Sequence, residues 1–135
     1  MFVWVIHRFD ASHAVEGHPV TSFSDPHDHT WEIRLQIQGN LEGNEQIPGL
    51  LVDTDRIKQI LNDYLPEGQY LNDWCGYNPT PENLAQHFLR DLYDPIREAT
   101  DGKAQLISLV IMESKESGAM ATLEDVQRLI TNVMA

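Results

Sequence analysis

Cysteine is nearly absent from this chain of 135 residues: Cys75 stands alone, so no internal disulfide can form. A single thiol fits a reducing compartment, and the fold has to be held by its core. Long apolar runs are also missing. No stretch approaches the ~20 residues needed to cross a bilayer. The N-terminal MFVWVIHRFD has an apolar run too short for a signal peptide and no basic segment ahead of it. Basic residues are scarce, with nine Lys and Arg against 21 Asp and Glu, a net charge of -12. Such a chain repels phosphate backbones and anionic headgroups, which argues against nucleic acid or a membrane as partner. Internal repeats and low-complexity segments are lacking too. What remains is ordinary for a globular protein, with 41% hydrophobic and 22% charged residues and the length of one domain with one core. The expectation is a single cytoplasmic domain.

Periodicity marks the elements. Phe2–Phe9 mixes β-branched and aromatic residues and reads as a strand. Ala14–Pro26 holds Gly17 and two prolines and reads as a loop. From Thr30, Trp31, Ile33, Leu35 and Ile37 alternate with Glu32, Arg34, Gln36 and Gln38, a strand with one buried face. Leu50–Val52 is a short apolar run read as closing a hairpin after the turn-rich Gly39–Gly49. Asp53 or Thr54 caps a helix carrying Ile57, Ile60, Leu61 and Tyr64 on one face. Thr80-Pro81-Glu82 opens a second helix with a Leu84, Ala85, Phe88, Leu89, Leu92 stripe. Ala104–Met112 is a strong strand, and Thr122–Met134 has a helical period. The order β-β-β-α-α-β-α points to an α+β domain with an antiparallel sheet and helices on one face.

His27 and His29 are one residue apart, so on a strand both point to the same face with Asp28 opposite. His13 closes another short stretch, FDASH. Three neutral imidazoles with an open fourth position suit catalytic zinc, but His-x-His spacing equally describes scattered surface histidines. His7, His18 and His87 read as structural or solvated.

Six short motifs follow in order: FDASH (Phe9–His13), HDH (His27–His29), GLLVD (Gly49–Asp53), YLND (Tyr70–Asp73), NPTPENLA (Asn78–Ala85) and VIMES (Val110–Ser114). Together they resemble the 6-pyruvoyl-tetrahydropterin and 6-carboxytetrahydropterin synthase family of tunnelling-fold proteins, over roughly Phe2 to Ala121. The resemblance implies a four-stranded antiparallel sheet with two helices on one face, extended here by a C-terminal helix over residues 122–135 of the same domain. It implies Zn2+ on His13, His27 and His29. It makes Glu113 the anchor of a pterin ring, because a carboxylate accepts two parallel N–H bonds, and it places Thr80 in the pterin pocket. The implied activity is a lyase acting on dihydroneopterin triphosphate or a related dihydropterin. Trimers stacked into hexamers, with sites between subunits, are the implied assembly.

The chain departs from that pattern where protons are handled. Family synthases carry a cysteine shortly before the His-x-His pair and an Asp-His pair before the LN motif. Here Phe23 takes the first place, flanked by Ser22 and Ser24, and Glu67-Gly68 takes the second. Cys75 and Glu67 are the candidate replacements for the catalytic base, with Glu16 and Asp25 behind them. A member that binds zinc and pterin without synthase activity, or cleaves the pterin side chain differently, is the alternative reading. The acidity of the chain also conflicts with a triphosphate unless basic residues gather at the site; Arg8, Arg34, Lys103 and Lys115 are the candidates.

Overall fold

A computed structural model describes residues 1–42 and 47–127. Strand β1 (Phe2–His13) runs on past Phe9 to the histidine, and β2 (His27–Gly39) begins at His27, three residues before Thr30. Between them lies α1 (Thr21–Ser24), a single turn. Helix α2 (Thr54–Tyr64) starts at Asp53, whose side chain accepts from the Asp55 N–H, and α3 (Leu71–Trp74) is another single turn. Helix α4 (Pro81–Ala99) has Thr80 as its cap, accepting from the Asn83 N–H, and Pro81 at the first position where no N–H is needed. Strands β3 (Ala104–Met112) and β4 (Gly118–Thr122) complete the chain's sheet.

All neighbouring strands are antiparallel, in the order β1-β2-β3-β4. Period two fixes which face each side chain takes. Trp31, Ile33, Leu35 and Ile37 of β2 are fully buried on one face with Phe9 of β1 and Leu109 and Ile111 of β3. Helix α4 packs on β3 and β4 through Phe88, Leu92 and Ile96, and α2 packs beside it against β1 through Ile57 and Leu61. This is the α+β sheet with two long helices on one face. The opposite face is uncovered and carries exposed apolar side chains, Trp4 at 55% and Met120 at 62%.

Two expectations change. Leu50–Val52 is no strand; a lone bridge joins Ile47 to Leu50, and Leu51 and Val52 turn inward as part of the core. A side chain added at Gly39 would meet Leu51 Cδ2 at 2.9 Å, so this run plugs the end of β2 instead of pairing with it. The fourth strand is GAMAT, Gly118–Thr122, which takes Thr122 from the expected C-terminal helix; residues 123–127 are helical, with Val126 buried in the core, and the rest of that expected helix lies outside the described residues. Among the described residues, no helix is long and apolar enough to cross a membrane.

Candidate metal centre

Register brings the histidines together. In the β1–β2 ladder His13 lies opposite His27, and Ala11 lies opposite His29. His13, His27 and His29 therefore occupy one end of the core-facing side of the sheet, above Trp31. Their ring centroids are 4.5 Å (His13–His27), 4.9 Å (His27–His29) and 5.1 Å (His13–His29) apart. One ring nitrogen from each lies within 4.8 Å of the others. Trp31 forms the floor, 4.9 Å from the His13 ring, its indole N–H donating to the Ala11 carbonyl at 3.1 Å.

Hydrogen bonding decides the tautomers. His13 Nδ1 lies 2.8 Å from the Pro79 carbonyl and His27 Nδ1 lies 2.8 Å from the Asp25 carbonyl. A carbonyl only accepts, so each Nδ1 carries the proton and each Nε2 presents a lone pair. His13 is fully buried and its Nε2 has no hydrogen-bond partner. An orphaned buried acceptor is costly, and a metal ion relieves it. Burial, ahead of every other cause, pushes the His13 and His29 imidazoles below their usual range. Neutral nitrogens are what a metal requires. The three residues thus fit a zinc ion, and two of them, His27 and His29, line a cavity of about 500 Å³.

Glu113 follows the end of β3 and stands at the rim of this centre. Its Oε2 is 3.9 Å from His29 Nε2 and 4.0 Å from His13 Nε2, and its Oε1 accepts weakly from Ser117 Oγ at 3.4 Å. Thr80 lines the same cavity while its hydroxyl caps α4. Both expected substrate residues therefore share one cavity with two of the histidines, His27 and His29.

The segment after His13 is held by two asparagines. Asn72 accepts from the Ala14 N–H and donates to the Ala14 carbonyl, both at 2.8 Å. Asn78 does the same to Glu16, at 3.0 and 3.1 Å. Two side-chain amides thereby stand in for a neighbouring strand and fix the cavity wall that carries Val15.

The expected catalytic candidates lie elsewhere. Cys75 is half-buried, its thiol donating to the Leu71 carbonyl at 2.9 Å and the Tyr77 carbonyl at 3.3 Å, and burial pushes its pKa up. Glu67 Oε2 accepts from the Asp10 N–H at 2.9 Å. Neither lines the cavity, and Glu16, Asp25, Ser22 and Ser24 do not line it either. Phe23 does, its ring 6.2 Å from His27 and 4.9 Å from His18. The cavity has two polar walls that the sequence pattern did not mark: His18, whose Nδ1 accepts from the Val20 N–H at 3.0 Å, and Glu82 in the first turn of α4. A larger cavity, about 550 Å³, lies at the far end of the sheet around Met1, Gly39 and Lys103. Among the described residues, the His13, His27, His29 set is the one group able to hold a metal, and His27 and His29 line the 500 Å³ cavity.

Comparison with known proteins identifies the family and the fold. The family model for 6-pyruvoyl tetrahydropterin synthase matches residues 2–124. The 6-pyruvoyl tetrahydropterin synthase of Caenorhabditis elegans superposes with a TM-score of 0.66 at 14% identity, over 90% of this chain and 94% of that one. An uncharacterised protein of Wolinella succinogenes gives a TM-score of 0.66 at 13% identity, over 90% and 98%. The Plasmodium vivax synthase, in a variant whose catalytic glutamate is replaced by alanine, gives 0.59 at 12% identity, over 90% and 97%. At such identities the likeness is one of fold. The search of curated proteins returns no match.

Proposed function

The chain belongs to the 6-pyruvoyl tetrahydropterin synthase family, and we propose that it is a zinc-dependent pterin lyase acting on dihydroneopterin triphosphate or a related dihydropterin. One observation carries this reading: a buried, unpartnered His13 Nε2 grouped with His27 and His29 at the mouth of a cavity that also holds Glu113. His13, His27 and His29 hold the zinc, which when bound supplies Lewis acidity toward a side-chain oxygen and acidifies the neighbouring C–H. Glu113 accepts two N–H bonds from the pterin and sets the ring's orientation. Phe23, Val15 and Pro81 give the cavity apolar walls that exclude water around the ring. The backbone carbonyls of Pro79 and Asp25 keep the His13 and His27 rings in the ligating tautomer.

Proton transfer is where this chain departs from its family. Phe23 cannot take a proton, and the Cys75 thiol is turned into its own turn by two carbonyls. Glu82 and His18 are the titratable groups on the cavity wall away from the centre, and Glu82 is the better base because His18 Nδ1 is already engaged as an acceptor. This favours a second reading, cleavage of the dihydroneopterin side chain with a carboxylate as base. Zinc-loaded protein incubated with dihydroneopterin triphosphate, and separately with dihydroneopterin, distinguishes the two: a pyruvoyl or carboxy product marks the synthase, glycolaldehyde release marks cleavage. Absence of turnover on both substrates with zinc fully bound refutes the enzymatic reading and leaves a pterin-binding member.

Assembly is proposed on the same footing. Strands β1 and β4 are the two edges of the sheet, and the face beside them is uncovered and partly apolar. Closing those edges against neighbouring copies removes an aggregation hazard. A trimer or hexamer by sedimentation is the expected result; a monomer at micromolar concentration contradicts it.

A further inference from the structure

We infer that Asn78 and Asn83 are positioning residues for the metal: together they aim the Pro79 carbonyl at His13 and so hold its imidazole in the ligating tautomer. This rests on the zinc reading above. His27 takes its carbonyl from Asp25, two residues back along the same chain segment, so local geometry suffices there. His13 takes its carbonyl from Pro79, 66 positions away. That contact persists only if the end of β1 and the start of α4 are fixed against each other. No side-chain substitution removes a main-chain carbonyl, so control lies with the groups that orient it.

The Pro79 carbonyl shares a planar trans peptide with the Thr80 N–H, and the two point in opposite directions. Pro79 has no N–H of its own by which to be held. The Thr80 N–H donates to the Asn78 carbonyl at 2.8 Å. With that bond made, the far side of the plane presents the Pro79 carbonyl to His13 Nδ1, 2.8 Å away. Asn83 Nδ2 donates to the same Asn78 carbonyl at 2.9 Å and ties it to the first turn of α4. The Asn78 side chain works in the other direction. It grips both backbone groups of Glu16, three residues beyond His13, at 3.0 and 3.1 Å. The peptide plane is thereby clamped to the helix by Asn83 and to the continuation of β1 by Asn78.

Pro79 and His13 are both buried, so water does not stand in for a misaimed carbonyl. If the clamp opens, nothing favours the proton on Nδ1 over Nε2. Nε2, the ligating nitrogen, then carries the proton for part of the time and offers no lone pair to the ion.

Asn78→Ala and Asn83→Ala test this in the full chain. Asn78 grips an exposed residue, and alanine at position 83 keeps the N–H that Thr80 caps and favours the helix, so both metal-free variants should melt close to wild type. Zinc affinity, measured by competition with a chromophoric chelator, should fall by about tenfold or more in each, the range for lost outer-shell partners. Nitrogen NMR of the metal-free imidazoles, recorded below the melting transition, reads the tautomers directly, which a merely structural role would not move. His13 should be the Nδ1–H form in wild type and a mixture in both variants, while His27 stays Nδ1–H throughout. Unchanged zinc affinity in either variant, or weakened affinity with the His13 tautomer unchanged, overturns the inference. If wild type binds no zinc, the zinc reading fails instead, and the tautomers alone decide the clamp: a shift confined to His13 supports it, and no shift overturns it.

Discussion

Replacing Asn72 by Ala should destabilise the protein far more than replacing Asn78, although the two amides make the same pair of bonds. Asn72 holds the N–H and carbonyl of Ala14 at 2.8 Å each, and Ala14 is only 6% exposed. Truncation leaves two backbone groups unpaired where water hardly reaches, at about 1–3 kcal/mol for each. Partial burial of the amide itself puts the expected sum near the low end, about 2–4 kcal/mol. Glu16 is exposed, so water replaces the Asn78 amide, and Asn78→Ala should cost only about 0.5–1 kcal/mol. Guanidinium chloride unfolding of the metal-free protein measures both values with one slope. Equal losses, or a loss below about 1 kcal/mol for Asn72→Ala, would show that burial of the clasped segment does not set its strength.

Gly118→Ala should be severely destabilising, because the added Cβ would collide with the Ile111 carbonyl and come within 2.9 Å of Met112 Cα; a normal melting temperature would show that β4 shifts freely. Burial pushes the Cys75 thiol up, so it should alkylate slowly at neutral pH, and Cys75→Ser should leave zinc content and any turnover unchanged; a loss of about 10²-fold or more in rate would make it the base after all. Metal-free protein should lose stability as the pH falls from 7.5 to 5.5. His13 and His29 are held below the ordinary imidazole value of 6.5, so near that pH the unfolded chain binds protons the folded chain refuses. Thermal unfolding across that range should show the fall, and a flat profile would mean both rings protonate freely in the fold.

The sheet was readable wherever alternation was strong. Trp31, Ile33, Leu35 and Ile37 announced β2, and the same parity put His27 and His29 on one face. His13 needed more: its place depends on the β1–β2 register, which no single strand contains. Strand β4 was missed because GAMAT is short and made of small residues, and it is a strand only through its pairing with β3. Leu50–Val52 misled in the opposite sense, since an apolar run buried as a plug has the composition of a strand. His18 and Glu82 sit on the cavity wall through loop and helix-cap geometry, which leaves no periodic trace. The gathering of Arg8, Arg34 and Lys115 likewise requires three separate segments to meet, whereas Lys103 ends up at the far end of the sheet.

The central claim is a zinc ion held by His13, His27 and His29, and elemental analysis after zinc loading tests it most directly. Wild type should retain one zinc per chain through dialysis. His13→Ala, His27→Ala and His29→Ala should each lose it, because two remaining nitrogens hold the ion poorly. Full zinc in all three variants, or none in the wild type, would contradict the account.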